Sequence, residues 1–374
     1  MNVLLFVIAF LGVFALITLY ISRRLITHLH LGDRLKHSLR FFLLLNYLGI
    51  IGYMLGRYFS DTPNWLYFLL SLPIGILFLL FCTAVIYDIF RVGMLGIPME
   101  PQRRDFFKKG LDIGALGVAF GVSGKATYNA RIVELEEITV KIRNLAKPYA
   151  VVQLSDIHIG GLINETFMQR VVSRVNGLDP DLVVITGDLV DVKLSQAQKA
   201  LETLKGLHST YGTYFIVGNH EYFHGIEEII AHVKSLGIRV LENENLYIGR
   251  EGEGFTLAGV YDLFGYRIEH HQPDLRLALR GRDQDSPTVL LAHQPRFVEE
   301  ADGEVDLILS GHTHGGQLYP FKALVKLQQP YVSGLHRHSD KTQVYVNKGT
   351  GFWGPPMRLG ASSEITHIRL EGTA

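Results

Sequence analysis

The apolar and polar positions divide the chain into two parts. Residues 2–22, 41–59 and 65–90 are almost uninterrupted apolar runs, each near the ~20 residues that a helix needs to cross a bilayer. A secretory signal opens with basic residues and carries a shorter apolar core. Here no Lys or Arg precedes the first run, and Arg23 and Arg24 follow it, so it reads as a retained span. Asp61-Thr62-Pro63-Asn64 forms a tight polar turn between the second and third spans. Pro73 and Gly75 inside the third are tolerable in lipid, where neighbouring helices re-satisfy the backbone. Trp65 and Tyr67 suit the membrane interface. A fourth candidate, 111–122, is rich in Gly and Ala; stretched to Tyr128 it just crosses, with Asp112 and Lys125 near its ends.

From residue 129 onward short apolar runs alternate with helical periodicities. Residues 131–142 predict a hairpin or two edge strands. Strands are expected at 149–154, 181–186, 213–217, 238–241, 255–260, 288–292, 305–309, 343–347 and 365–370. Helices are expected at 164–176, 197–207, 226–236, 274–279 and 297–301, the first and third followed by the stops Gly177 and Gly237. Strands alternating with helices predict an α/β domain with helix-covered sheets, and the late strands predict that the sheet is mixed. The expected organisation is a transmembrane region, 1–128, and an α/β domain, 129–374.

Lys/Arg bias sets orientation. The loop 23–40 carries Arg23, Arg24, Arg34, Lys36 and Arg40; the segment 91–109 carries Arg91, Arg103, Arg104, Lys108 and Lys109; the turn 61–64 carries none. Both basic segments therefore face the cytoplasm. Arg103-Arg104-Asp105-Phe106-Phe107-Lys108 resembles a twin-arginine export signal, an address for translocating folded domains; the other reading is a basic flank beside an interfacial helix. The favoured reading is a crossing, which places the C-terminal domain outside the cytoplasmic membrane. The 374 residues with 48% hydrophobic content allow more than one domain, and the net charge of +0 argues against a nucleic-acid binder driven by phosphate contacts. The single Cys82 excludes an internal disulfide framework and a multi-cysteine zinc module.

The candidate chemistry sits at strand ends: Asp156 and His158; Asp188; Asn219 with His220; His293; His312 and His314. On an extended strand end, residues two apart share a face, so Asp156/His158 and His312/His314 are expected to project in pairs. Taken alone, the last pair could be a turn with two surface histidines. In open α/β sheets, however, ligands bind beyond the carboxyl ends of strands. Carboxylate, amide and imidazole groups without a thiol suit Mn, Fe or Zn. Seven ligands exceed one ion's needs and fit two ions sharing a carboxylate; such pairs, ~3.5–4 Å apart, clamp both oxygens of an in-line phosphoryl displacement. The glycines around His312 and His314 are expected to clear room for a phosphoryl group.

The ordered set D-x-H (Asp156, His158), G-D (Gly187-Asp188), G-N-H-[DE] (Gly218-Asn219-His220-Glu221), H (His293) and G-H-x-H (Gly311-His312-Thr313-His314) resembles the calcineurin-like metallophosphoesterases over roughly residues 145–372. Val346-Asn347-Lys348-Gly349 and Pro355-Pro356-Met357-Arg358 are similar to the family's bacterial membrane-anchored branch. The resemblance implies a four-layer α/β/β/α sandwich of two mixed sheets. It implies two divalent ions, one held by Asp156, His158, Asp188 and His314, the other by Asp188, Asn219, His293 and His312. His220 would be catalytic, protonating the leaving oxygen or stabilising the phosphoryl charge, and Glu221 would support the site. The implied activity is hydrolysis of a phosphomonoester, phosphodiester or pyrophosphate by metal-bound hydroxide. The anchor suggests a lipid-linked substrate; one narrower alternative is a nucleotide-diacylglucosamine pyrophosphatase, and an alternative of another class is a metal-binding scaffold or receptor. The late turn departs from the family pattern in its bulky Phe352-Trp353, which would either contact an apolar part of the substrate or pack into the turn. His336 and His338 are further candidates for phosphate contact. His28, His30 and His37 are expected to be solvated, and the remaining histidines to lie at the surface or in packing.

Overall fold

The computed structural model describes residues 3–56, 62–98 and 100–373. Asn2, Arg57, Phe59 and Asp61, at the expected span ends and turn, lie outside them. The chain divides into two compact units, one of residues Met1–Arg131 with Gly354–Leu359, the other of Ile132–Trp353 with Gly360–Ala374.

In the first unit the apolar runs become helices α1 (Val3–Tyr20), α2 (Asp33–Gly56) and α3 (Asn64–Leu95), followed by α4 (Pro101–Asn129). Among the described residues three segments are long and apolar enough to cross a membrane: Leu5–His28, Asp33–Gly56 and Asn64–Met94. The first includes a π turn, Ile21–Leu25, and a 3-10 turn, Ile26–His28, beyond α1. Small residues let the helices approach closely: a Cβ on Gly49 would lie 2.8 Å from Pro73 Cγ, and one on Gly52 2.8 Å from Leu70 Cδ2. The twin arginines and residues 111–128 form one continuous 29-residue helix, α4, about 43 Å long at 1.5 Å per residue. Its buried Asp112 accepts from Tyr87 Oη at 2.8 Å and from His30 N at 2.6 Å, and lies 2.9 Å from His30 Nδ1. His30 is thus held by a carboxylate and is not simply solvated. Ala115 and Ala119 join the core made by α1–α3, while Ile113, Val118 and Phe120 face outward.

The second unit holds two six-stranded sheets among the described residues. The strands are β1 (Val133–Ile142), β2 (Tyr149–Leu154), β3 (Leu182–Thr186), β4 (Thr213–Ile216), β5 (Arg239–Val240), β6 (Glu244–Ile248), β7 (Phe255–Gly259), β8 (Thr288–Leu291), β9 (Leu307–Ser310), β10 (Gly334–Arg337), β11 (Gln343–Val346) and β12 (Ser363–Gly372). The first sheet runs β1-β12-β2-β3-β4-β5 and the second β10-β11-β9-β8-β7-β6. Both are mixed: β12 is antiparallel to β2, β10 to β11 and β6 to β7, while the central strands pair parallel. Residues 131–142, expected as two strands, make one long strand, β1, paired parallel with β12.

Strand alternation divides each central strand between two cores. Val151, Leu182 and Val184 meet Leu257, Val289, Leu291, Leu307 and Leu309 between the sheets. Their neighbours Val152, Leu154, Val183 and Ile185 pack against the outer helices α5 (Glu165–Asn176), α6 (Leu194–Glu202) and α8 (Ile226–Ser235). On the far side Leu290 and Ile308 pack with Ala278 of α10 (Leu275–Ala278) and Val298 of α11 (Val298–Ala301). The result is the four-layer α/β/β/α sandwich. Each fully buried Val or Leu contributes about 1.5–3 kcal/mol, so the strand ends are held by a rigid base. Three short helices, α7 (Asn219–His224), α9 (Phe264–Ile268) and α12 (Lys322–Val325), lie in the connections.

Candidate metal centre

The parallel strands β2, β3, β4, β8 and β9 stop just before the residues singled out in the sequence. The chain then turns through left-handed backbone at Asp156, His158, Asp188, His312 and His314, with φ of 48, 55, 50, 69 and 50°. Such conformations cost non-glycine residues about 1–3 kcal/mol each and gather at functional sites. Asp156 and His158 join one group as alternation predicts, but for His312 and His314 the expectation is corrected. His312 and His314 lie beyond β9, and His314 opens a 3-10 turn; their directions are set by these turns, and the two side chains diverge into different groups.

Among the described residues three overlapping groups here could hold a metal: Asp156, His158 and His314; Asp188, His293 and His312; and His158, Asp191 and His220. In the first, the Nε2 atoms of His158 and His314 are 3.0 Å apart, and His314 Nε2 is 3.4 Å from Asp156 Oδ1. In the second, His293 Nε2 lies 3.3 Å from Asp188 Oδ2 and 3.2 Å from Asn219 Oδ1. Asp188 Oδ2 joins them: it is 3.9 Å from His158 Nε2 as well. All eight residues expected at the site are therefore drawn to one place, with His220 Nε2 also 3.9 Å from Asp188 Oδ2.

The hydrogen-bonding pattern calls for a cation. His293 Nδ1 faces the Thr186 carbonyl at 2.8 Å and must donate to it. If the ring is neutral, its Nε2 lone pair confronts Asp188 Oδ2 and Asn219 Oδ1, neither of which offers a hydrogen. A proton or a metal ion resolves this conflict. Burial alone would lower the His293 pKa, yet Asp188 and Asp156 hold it well above the usual value. His158 and His312, by contrast, are pushed down to about 3, by burial first and by neighbouring imidazoles. Neutral imidazole is the form that binds metal. His158 turns its Nε2 toward His314 and Asp188, and its buried Nδ1 has no hydrogen-bond partner. The residues fit divalent metal.

Supporting groups fix the carboxylates. The Glu221 carboxylate, fully buried, accepts four backbone N–H bonds, from Asp188, Leu189, Val190 and Gly218, at 2.7–3.1 Å. Burial and the Asp188 charge push it up, to about 7, against these donors. Asp156 accepts from His312 N and from Ser155 Oγ at 2.6 Å, and burial raises it to about 6. Close approach explains two glycines. A Cβ on Gly218 would strike the Asp188 carboxylate, and one on Gly311 would strike Ser155 Oγ and Asp156 Oδ2. Glycine at these positions makes room for carboxylates; the expectation that the motif's glycines clear space for a phosphoryl group is not needed to explain Gly311.

Two residues missed as site candidates stand beside His220. Asp191 Oδ1 is 2.7 Å from His220 Nδ1 and 3.3 Å from His224 Nε2. Burial opposes the His220 charge, but Asp188 and Asp191 outweigh it and raise the pKa to about 9. The readable signals were a second acid in the loop after Asp188, and a histidine four residues after His220, one turn along the same helix. Phe223 and Trp353 are exposed with rings 5.8 and 6.0 Å from that of His220, whereas Phe352 packs against the outer core. His336 and His338 are not brought to the centre; they bond Ser333 O and Tyr331 Oη. A separate exposed group joins Glu227, His270 and His271.

The sequence profile of the calcineurin-like phosphoesterases matches residues 149–316, which contain all eight site residues. A metallophosphoesterase of Helicobacter pylori strain ATCC 700392 / 26695 is 36% identical over 366 residues, 97% of each chain. The chain belongs to the calcineurin-like metallophosphoesterases, a family of phosphoester hydrolases that use divalent metals. A Campylobacter jejuni metallophosphoesterase is 34% identical over 368 residues, 96% of each chain. A Danio rerio transmembrane protein with metallophosphoesterase domain is 35% identical over 337 residues, 85% of this chain and 77% of its own.

Proposed function

We propose that the chain is a multi-pass membrane phosphoesterase that works with two divalent ions, Mn, Fe or Zn. Asp156, His158, Asp188 and His314 hold one ion; Asp188, Asn219, His293 and His312 hold the other. The observation that carries this reading is the position of Asp188 Oδ2, facing His158 Nε2 on one side and His293 Nε2 on the other. When bound, the ions neutralise phosphoryl charge and acidify a water at neutral pH.

The protein's own groups supply the rest. His220 is held by Asp191 at Nδ1, so Nε2 is the end that carries a proton toward the leaving oxygen. The Asp191 carboxylate at Nδ1 favours the protonated ring. The substrate is a phosphomonoester, phosphodiester or pyrophosphate. A lipid-linked one is supported by the exposed Phe223 and Trp353 beside His220, and a nucleotide-diacylglucosamine pyrophosphate is the narrower case. We place the catalytic unit outside the cytoplasmic membrane. This placement requires α4, which is not among the three segments apolar enough to span, to supply a fourth crossing; its unbroken length and the basic residues of 23–40 and 91–109 support it.

Purified full-length protein with Mn should hydrolyse aryl phosphomonoesters or phosphodiesters, and Asp188→Asn and His220→Asn should each lower kcat/KM by at least about 100-fold. Undiminished activity in both variants would overturn the site assignment. A C-terminal alkaline-phosphatase fusion should be active; an inactive fusion alongside a bright cytoplasmic fluorescent fusion reverses the topology.

A further inference from the structure

Beyond the centre, the chain makes an unusual surface. Twelve large apolar side chains are exposed among the described residues of the catalytic unit, and four of them, Tyr319, Phe321, Leu324 and Leu327, fall within residues 319–327. Leu327 is 79% and Tyr319 65% exposed. Single exposed apolar residues are normal on a protein surface; a contiguous group marks an interaction site. Lys326 N donating to Lys322 O and Gln329 N to Val325 O continue the helical path beyond α12. At 100° per residue, Phe321, Leu324 and Leu327 share one side and Lys322 and Lys326 the other, the division found in interfacial helices.

This segment is fixed to the metal loop. A Cβ on Gly316, two residues after His314, would lie 2.5 Å from Lys322 Cα, so the turn and α12 are in direct contact. Gln317 donates from Nε2 to Trp353 O at 2.8 Å and accepts from Trp353 N at 3.0 Å. Trp353 in turn stands beside His220.

We propose that residues 319–327 dock into the headgroup layer of an anionic phospholipid bilayer and bring the mouth of the phosphoesterase site to lipid phosphoesters. The bilayer is the occupant because the same chain carries three helices apolar enough to span one. Residues 130–132 alone separate α4 from β1. The apolar side suits the acyl boundary, and Lys322 and Lys326 complement anionic headgroups. The proposal rests on the membrane-phosphoesterase reading and deepens its substrate class.

The test uses the full chain with Cys82→Ala, labelled with a fluorophore at Leu327→Cys or, as a control, at Leu277→Cys, and reconstituted into phosphatidylcholine–phosphatidylglycerol vesicles. Spin-labelled lipid should quench the probe at 327 several-fold more than the probe at 277, and Leu324→Glu or Lys322→Glu with Lys326→Glu should lower that excess. Equal quenching at both positions overturns the proposal. So does shielding of 327 from both lipid and aqueous quenchers, the outcome expected if a second copy covers the patch. Aryl-phosphate hydrolysis by the labelled protein reads the catalytic assignment separately: its absence counts against the metal centre and leaves the quenching comparison decisive for docking.

Discussion

Gly218→Ala isolates the geometry of the bridging carboxylate with one methyl group. Gly218 has an ordinary φ of −101°, so the substitution brings no backbone strain. The new Cβ would collide with Asp188 Oδ1 and lie 2.5 Å from Asp188 N, where real Cβ contacts stay beyond 3.0 Å. The obstructing nitrogen is backbone and cannot rotate away. Asp188 must therefore move by roughly 1 Å, a displacement that costs about 100-fold when it falls at reacting geometry. The overpacking itself costs about 1–3 kcal/mol. We expect kcat/KM on an aryl phosphate to fall about 100-fold, with fewer bound metal equivalents by elemental analysis. Gly212→Ala is the control: its φ is +91° and nothing lies within 4 Å of the added Cβ. It should lose about 1–2 kcal/mol of stability from left-handed strain and keep its activity. Wild-type turnover and metal content in Gly218→Ala would refute the claim that Asp188 is held where two metal groups meet.

Three further outcomes follow from the same contacts. Asp191→Asn removes the charged acceptor at His220 Nδ1 and should lower kcat about 10–100-fold, the usual cost of losing an orienting partner, with KM nearly unchanged in steady-state assays. Glu221→Gln places an amide NH₂ against backbone N–H donors and should destabilise the catalytic unit by about 2–4 kcal/mol, read as a lower Tm. Glu227 is held down to about 2, first by its hydrogen bond to His270 and also by its own backbone. Its contribution is present above the unfolded value of 4.5 and lost as pH falls toward 2, so wild type should converge with Glu227→Gln in that window; because Glu227 is exposed, the difference should stay below about 1 kcal/mol.

The order of chemistry along the chain was legible because β2, β3, β4, β8 and β9 are short, largely apolar and followed within three residues by a ligand-type residue. Val183, Val184 and Ile185 signal a strand buried on both faces, and Gly187-Asp188 marks where it stops. The directions of the side chains were not legible. Left-handed turns at His312 and His314 are imposed by packing against Asp156 and its neighbours, and alternation does not apply past Ser310. The six residues of α7 are too few to show periodicity, so the spacing of His224 from His220 was only a weak signal, and Asp191 reaches His220 from a separate loop after β3. β1 looked like a hairpin because local pattern cannot announce a partner more than 200 residues away; its actual neighbour is β12. Likewise, nothing in the segment before α2 shows that His30 meets Asp112 of α4.

The assignment of Gly354–Leu359 to the helical unit makes the molecule inseparable by one cut. The chain passes between the units three times, after Arg131, after Trp353 and after Leu359. Within the helical unit Arg358 N donates to Ala126 O at 2.8 Å, Asn129 Nδ2 donates to Arg358 O at 3.3 Å, and Met357 lies against Gly75. A protease that nicks the chain at residues 130–132 therefore leaves two fragments still joined by this short inset, and a truncated catalytic unit beginning there would carry Met357 and Arg358, both buried in the whole protein, stripped of these partners. The membrane helices are to that extent a folding partner for the C-terminal part of the chain.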